Sequence, residues 1–287
     1  MKYFFTFLLI LGIAYSSLSA QPKETSSLLW EINGKNLSKP SYLFGTFHLI
    51  CASDFTISTI LSEKLTSTEQ FYGEIDLSKP NWQTEMAMGL IMKDHTIEEL
   101  MGKLEFEKAS LKFKEITGMN MNMLNNVKPF MSLSLLVLNS IPCSDKIQPE
   151  TMFMNIVNQS KTPVFGLETI ADQINAIDTQ PLDDQVISLK KMIMNFDSVK
   201  LEMRKMIEVY QLKNTDSLYA YIQKNGGDND FEQELLVKRN QKWLPVISKA
   251  INQKSSFFAV GAGHLGGETG IINLLRKEGY QLKAIKY

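Results

Sequence analysis

Residues 256–285 read SFFAVGAGHLGGETGIINLLRKEGYQLKAI, and this stretch decides the fold class. Ser256 to Val260 is a short apolar run rich in aromatic and β-compatible residues, which predicts a buried strand. Gly261-Ala262-Gly263-His264 follows as a turn, Gly270 to Lys277 carries apolar residues at helical spacing, and Gln281 to Ile285 predicts a final strand. The unit is strand, glycine turn, helix, strand, with a histidine at the carboxyl end of its first strand. Open α/β sheets place their ligands at that end.

The opening of the chain repeats the plan. Leu28 to Ile32 and Ser41 to Phe47 flank the turn Asn33-Gly34-Lys35-Asn36 and predict a hairpin whose second strand runs into His48. Ser53 or Asp54 is placed to cap a helix reaching about Thr66. Gln70 to Leu77 (QFYGEIDL) predicts another strand, and Thr162 to Leu167 (TPVFGL) a shorter one ending at Glu168. The middle reads as helix. Thr96 and Glu99 form a capping box, Leu104 to Ile116 repeats with helical spacing, and Phe130 to Ile141 is apolar almost all round, as in a buried helix. Glu150 to Gln159 continues that pattern, Leu182 to Leu212 reads as one long helix or two, and Asn225 to Asp230 (NGGDND) as a loop. The fold class is α/β, with a mixed central sheet built from both ends of the chain and covered by a helical middle. The expected organisation is a signal peptide over residues 1–20 and a single α/β domain over 21–287, with helical insertions at about 80–160 and 181–250.

The amino-terminal reading rests on Lys2, the apolar run Phe4 to Ala14, and the small-residue exit Leu18-Ser19-Ala20. A membrane anchor is the competing reading, but the run is shorter than the ~20 apolar residues of a span. No later stretch is as long without charges, so no membrane span is expected in the mature chain. Export to the periplasm or the exterior follows. There the two cysteines, Cys51 and Cys143, permit one disulfide; two buried thiols that never meet are the other arrangement. A net charge of −1 without a Lys/Arg cluster argues against nucleic acid. The 15 methionines fall mostly on helical repeats and suit core filling better than a copper site. G-x-S-x-G, P-loop and C-x-x-C motifs are absent, so serine hydrolase, nucleotide and thiol chemistries lack support.

Of three histidines, His48 and His264 each end a G-x-x-H. With 16 Gly in 287 residues, a Gly three places before a given His is about a 6% event, so the pair marks a pattern. A glycine there lets the backbone approach whatever the imidazole touches, and imidazole binds transition metals or acts as a base near neutral pH. Glu74 and Glu168 each follow an apolar strand, and Asp76 shares the strand face of Glu74. Two histidines with one or two carboxylates satisfy a first-row metal and leave a position for water. A buried hydrogen-bonded histidine, a strand-end surface acid or a helix cap is the plainer reading of each residue alone. Arg239-Asn240 sits in a helical pattern that by itself reads as a solvated face, and His95 reads as a surface or capping residue.

The run LLWEINGKNLSKPSYLFGTFHL resembles the opening of the TraB/GumN family, which includes the Tiki proteins. QFYGEIDL, KTPVFGLET, Arg239-Asn240 and SSFFAVGAGHLGGETGIINLLRKEGYQLKAI are similar to that family's later blocks, in the same order, over nearly all of the mature chain. The resemblance implies a fold related to the erythromycin-esterase and ChaN-like proteins. For the Tiki branch it implies metal-dependent proteolysis near the amino terminus of a secreted substrate, with manganese or cobalt favoured; bacterial relatives are associated with shutting down peptide pheromones. Carried over by position, His48, His264, Glu74, Glu168 and Arg239 match the family's polar residues. Gly263 stands where a larger residue is usual.

The resulting expectation is an exported metal-dependent hydrolase of secreted or periplasmic peptides or proteins. His48, Glu74 and His264 would hold a divalent metal, with manganese or cobalt favoured and zinc possible. Glu168 would be a general base or a further ligand, and Arg239 would stabilise an oxyanion. The alternatives are a metal-independent hydrolase using His48 and Glu74, as in the esterase relatives, and a non-catalytic peptide- or haem-binding protein. Mass spectrometry of the exported protein should show a chain starting at Gln21; the full chain recovered in a membrane fraction would contradict the export reading.

Overall fold

The computed structural model describes residues 26–225 and 233–287. The expected signal segment at 1–20 and all but the first residue of the loop at 225–230 lie outside them. A six-stranded sheet forms from β1 (Leu29–Asn33), β2 (Ser41–Thr46), β4 (Gln70–Gly73), β6 (Val164–Gly166), β7 (Ser256–Gly261) and β8 (Gln281–Ile285), in the order β6-β4-β7-β2-β1-β8. Strands β6, β4, β7 and β2 are mutually parallel, while β1 runs antiparallel to both β2 and β8. The sheet is thus mixed and made largely from the two ends of the chain, with helices over it. The β1–β2 hairpin forms as the Asn33–Asn36 turn predicts, with Leu29 opposite Phe44 and Ile32 opposite Ser41.

Every residue of β2 and β7 is buried, the signature of parallel strands covered on both faces. Alternation decides which face each side chain serves. Phe257 and Ala259 join Phe44 and Phe71 on one face, beneath Leu61 and Leu65 of the helix Thr59–Thr66 and Phe153 and Val157 of the helix Pro149–Gln159. Phe258 and Val260 join Leu43 on the other, beneath Trp243, Ile247 and Ile251 of the helix Arg239–Gln253. A third cluster, around Phe106, Phe113, Leu136 and Leu189, belongs to the helices alone.

Three local expectations need correction. The helix assigned from Ser53 or Asp54 begins at Thr59, capped by Ser58, because the preceding segment is held elsewhere. There β3 (Ile50–Cys51) pairs with β5 (Lys146–Ile147), and a disulfide joins Cys51 to Cys143. The strand over QFYGEIDL stops at Gly73, and the chain then turns where the Asp76 carboxylate accepts hydrogen bonds from the Ser78 N–H and hydroxyl. The apolar helix at 130–141 spans Pro129–Ser140 but buries one face only, with Val137 exposed, because it packs within the helical layer and not under the sheet. Of the two readings open for residues 182–212 the structure shows the pair of helices, Leu182–Met194 and Phe196–Gln211, broken at Asn195. The Thr96–Glu99 capping box is present and starts the short helix Ile97–Met101.

The Cys51–Cys143 bridge closes a 92-residue separation. Chain entropy assigns a loop of that size on the order of 4 kcal/mol. Denaturant titration of oxidised and reduced protein should show a stability loss of that order on reduction, and thiol counting after non-reducing denaturation should find no free cysteine.

Candidate functional site

Parallel pairing brings four carboxyl-terminal strand ends to one edge. Thr46 of β2 lies opposite Gly261 of β7, and Gly73 of β4 opposite Gly166 of β6. His48, His264, Glu74 and Glu168 leave those four strands within three residues of their ends. Arg239 enters from the first position of the helix Arg239–Gln253, immediately after a π-helical turn over Gln233–Lys238. Such turns widen the helix and re-aim the side chains beside them.

Glu74 is the centre. Its Oε1 accepts a hydrogen bond from the Gly261 N–H at 2.8 Å and lies 3.7 Å from His48 Nε2 and 3.8 Å from His264 Nε2. Its Oε2 accepts from Arg239 Nη2 at 2.6 Å and more weakly from Gln173 at 3.4 Å. Burial by itself would raise this carboxyl's pKa. The flanking imidazoles, the Arg239 guanidinium and the Gly261 N–H outweigh it and hold the value down to about 2. The glycine of the second G-x-x-H makes room here: a Cβ at Gly261 would stand 2.9 Å from His48 Nε2 and 3.3 Å from Glu74 Oε1 and would push the imidazole from its place.

The two imidazoles are oriented differently from their far sides. The Nδ1–H of His48 donates to Glu150 Oε1 at 2.7 Å, and Thr46 donates its hydroxyl to the same oxygen at 2.6 Å. Asn240 donates its amide to the carbonyls of His264 and Thr269, which leaves its oxygen to accept the Nδ1–H of His264 at 2.7 Å. Both Nε2 atoms therefore face Glu74. His264 is buried and lies against the Trp243 ring, whereas 63% of the His48 side chain is open to solvent. Desolvation pulls the His48 pKa down, but the Glu150 hydrogen bond and the charges of Glu74 and Glu150 override it and raise the value to about 9. For His264, burial dominates the attraction of Glu74 and, reinforced by Arg239, lowers the value to about 3.

Glu168 has no free face. Its two oxygens accept from Arg239 Nε and Nη2 and from the Trp243 indole N–H at 2.9 Å, and its side chain is 3% exposed. Arg239 completes the cluster with its Nη1 3.3 Å from His264 Nε2 and its guanidinium over the Trp243 ring. All five polar residues singled out in the sequence, His48, Glu74, Glu168, Arg239 and His264, thus meet in one connected group. Asp76 instead serves the turn with Ser78, and exposed His95 lies in the helical layer.

Glu150, Thr46 and Trp243 escaped the sequence reading. An acid following Pro149 at a helix start reads simply as complementing the helix dipole. Trp243, four positions after Arg239, is the spacing of two neighbours on one helix face and is the one signal that points to the stacked pair.

Two ligands bound to one first-row ion at about 2.1 Å lie no more than about 4.2 Å apart. The separations from Glu74 Oε1 to the two Nε2 atoms fall inside that limit, and both nitrogens present the lone pair a metal needs once His48 loses its proton. Glu150 and Asn240 supply the far-side hydrogen bonds that fix metal-ligating histidines. Among the described residues no three His, Cys, Asp or Glu side chains form a ready metal-holding group, and Arg239 lies against Glu74 and His264. A divalent ion held by His48, Glu74 and His264 would have to displace the long Arg239–His264 contact.

The family model for TraB/PrgY/gumN matches residues 28–284. Metalloprotease TIKI2 of Danio rerio is 21% identical over 320 residues, covering 91% of this chain and 61% of that protein. Metalloprotease TIKI1 of Danio rerio is 37% identical over 59 residues, and that of Homo sapiens 36% over 59, each match covering 20% of this chain and 12% of the relative. The chain spans about three fifths of TIKI2 and about an eighth of TIKI1 in these matches. No solved structure matches. Among the described residues, no helix is long and apolar enough to cross a membrane.

The His48–Glu150 pair makes a pH prediction. A His48 pKa raised above 6.5 in the folded state means that its stabilising contribution is present below about pH 6.5, while Glu150 stays ionised, and is lost as pH rises through about 9. An NMR titration of metal-free protein should show His48 titrating well above ordinary histidine, and Glu150→Gln should bring that pKa down.

Proposed function

The chain belongs to the TraB/PrgY/gumN family, and from that premise we propose that it is an exported, metal-dependent hydrolase of peptides or proteins. One observation carries the reading: two imidazole Nε2 atoms from different strands face a single carboxylate oxygen, Glu74 Oε1, at 3.7 and 3.8 Å. His48, Glu74 and His264 would hold the ion. Manganese or cobalt is favoured by the family resemblance, with zinc as the further candidate. A divalent ion bound there would supply Lewis-acid chemistry, polarising a carbonyl and acidifying water.

The chain's own residues set the rest. Glu150 and Asn240 fix the rings so that each Nε2 faces inward. Arg239, held by Glu74, Glu168 and the Leu235 carbonyl, would meet an oxyanion beside Glu74 through Nη1, the nitrogen that otherwise approaches His264. Glu168, bound by Arg239 and Trp243 on both oxygens, positions that guanidinium; a general base would need an accessible oxygen. Export is supported by the Lys2-to-Ala20 pattern and by the Cys51–Cys143 bridge, since persistent disulfides belong to oxidising compartments.

The His48–Glu150 hydrogen bond also favours one second reading, a metal-independent hydrolase with His48 as base. Its weakness is protonation: with a pKa raised to about 9, metal-free His48 is already an imidazolium at neutral pH. A peptide-library digest with manganese, cobalt, zinc or chelator separates the readings. Cleavage should require metal, and His48→Ala and His264→Ala should each lower it by about 10²-fold or more while far-UV circular dichroism stays native. His95→Ala should leave it unchanged. Full activity of His48→Ala with metal present would sink the proposal, activity undiminished by chelator would favour the metal-independent reading, and no cleavage of any peptide would favour a binding protein.

A further inference from the structure

Beyond Gly73 the chain leaves β4 through Glu74-Ile75-Asp76-Leu77, reverses at the Asp76–Ser78 hydrogen bonds, and returns as the helix Trp82–Gly89. A cavity of about 280 Å³ lies inside this turn. Phe71, Ile75, Leu77 and Trp82 form its apolar walls, and His48 and Glu74 line it as well. Its size falls just below the ~300–1,000 Å³ of sites that enclose a whole small molecule. It suits a single large side chain whose backbone stays outside.

The lining also selects by polarity. Glu74 and Glu150 are its acids and His48, paired with both, is its basic group; no lysine or arginine lines it. An aspartate or glutamate side chain entering it would lose hydration against Phe71 and Ile75, both nearly fully buried. A leucine, methionine or phenylalanine side chain would instead leave water for carbon on several sides. Gln173 lines the cavity too and donates to Glu74 Oε2, so one polar side chain joins the cavity to the carboxylate at the centre of the site. The larger groove along β6, about 820 Å³, is lined by neither His48 nor Glu74.

We propose that this cavity is the specificity pocket of the site, receiving one large apolar side chain of a peptide next to the bond presented to His48 and Glu74. The assignment rests on the peptide-hydrolase reading and adds to it the class of sequence that would be selected.

Binding can be read without turnover. N-acetyl-leucinamide, N-acetyl-phenylalaninamide, N-acetyl-alaninamide and N-acetyl-aspartamide are titrated into the intact protein while the Trp82 indole N–H is followed by NMR. The leucine and phenylalanine compounds should shift that signal and bind about tenfold or more tightly than the alanine compound, with the aspartate compound weakest. Leu77→Ala should reduce the preference and Leu77→Asp abolish it; Trp82→Ala, read from the remaining pocket resonances, serves where the charged variant fails to fold. Equal binding of all four compounds, or a preference untouched by these substitutions, overturns the pocket. A parallel library digest separates this from failure of the underlying reading. Cleavage clustered at leucine, methionine and phenylalanine supports both, and cleavage without apolar preference removes the pocket while leaving the hydrolase. Selective amide binding without any cleavage removes the hydrolase and leaves an apolar side-chain site.

Discussion

Strand β7 is hydrogen-bonded in parallel to β2 on one side and to β4 on the other. That pairing fixes the depth at which each strand ends, and so the height at which His48, Glu74 and His264 emerge. Because side chains alternate between faces with a period of two, a one-residue slip of β7 would exchange Phe257 and Ala259 with Phe258 and Val260. Both hydrophobic layers would then be wrong at once. The register is held by two cores, and the site inherits its precision from them without needing much rigidity of its own.

Charge is the second constraint. Glu74, Glu150 and Glu168 are drawn into a largely enclosed region whose compensating groups are Arg239 and the imidazole of His48. Removing one partner from such a group leaves an uncompensated charge, which typically costs about 3–5 kcal/mol. Arg239 is thus structural as well as chemical. It ties the strand ends at Glu74 and Glu168 to the helix that covers the opposite face. Trp243, beneath the guanidinium and beside His264, supplies the apolar surface that keeps water from screening these pairs.

Much of this was legible in the sequence, and the exceptions share a cause. The two G-x-x-H segments, the strand-end acids and the terminal strands are local patterns, and local patterns survive in a linear reading. Gly261 even anticipates its own reason, since it precedes one histidine by three and makes room for the other. Glu150 was not legible, because its meaning depends on a partner 102 positions away. Arg239 in its helical pattern alone reads as a solvated residue; its burial is decided by three strands that the helical pattern cannot see. The displaced start of the helix at Thr59 has the same origin. The residues before it are recruited by a ladder and a disulfide to the segment at 143–147, and tertiary pairing outweighs a good capping residue.

The joining of opposite chain ends also bears on how the molecule forms. Ser41 and Ser256, neighbours through a hydrogen bond between β2 and β7, are 215 positions apart. β1 and β8 are separated still further along the chain. Pairings of such range close very large loops, and topologies dominated by them fold slowly. The helices of the middle, with their own cluster around Phe113 and Leu189, draw on residues 92–199 alone. The central sheet must wait for residues 256–285. A ribosome-bound chain that has not reached them holds β2 and β4 without the strand that belongs between them, so the histidine–carboxylate cluster forms only after the helical middle has been made.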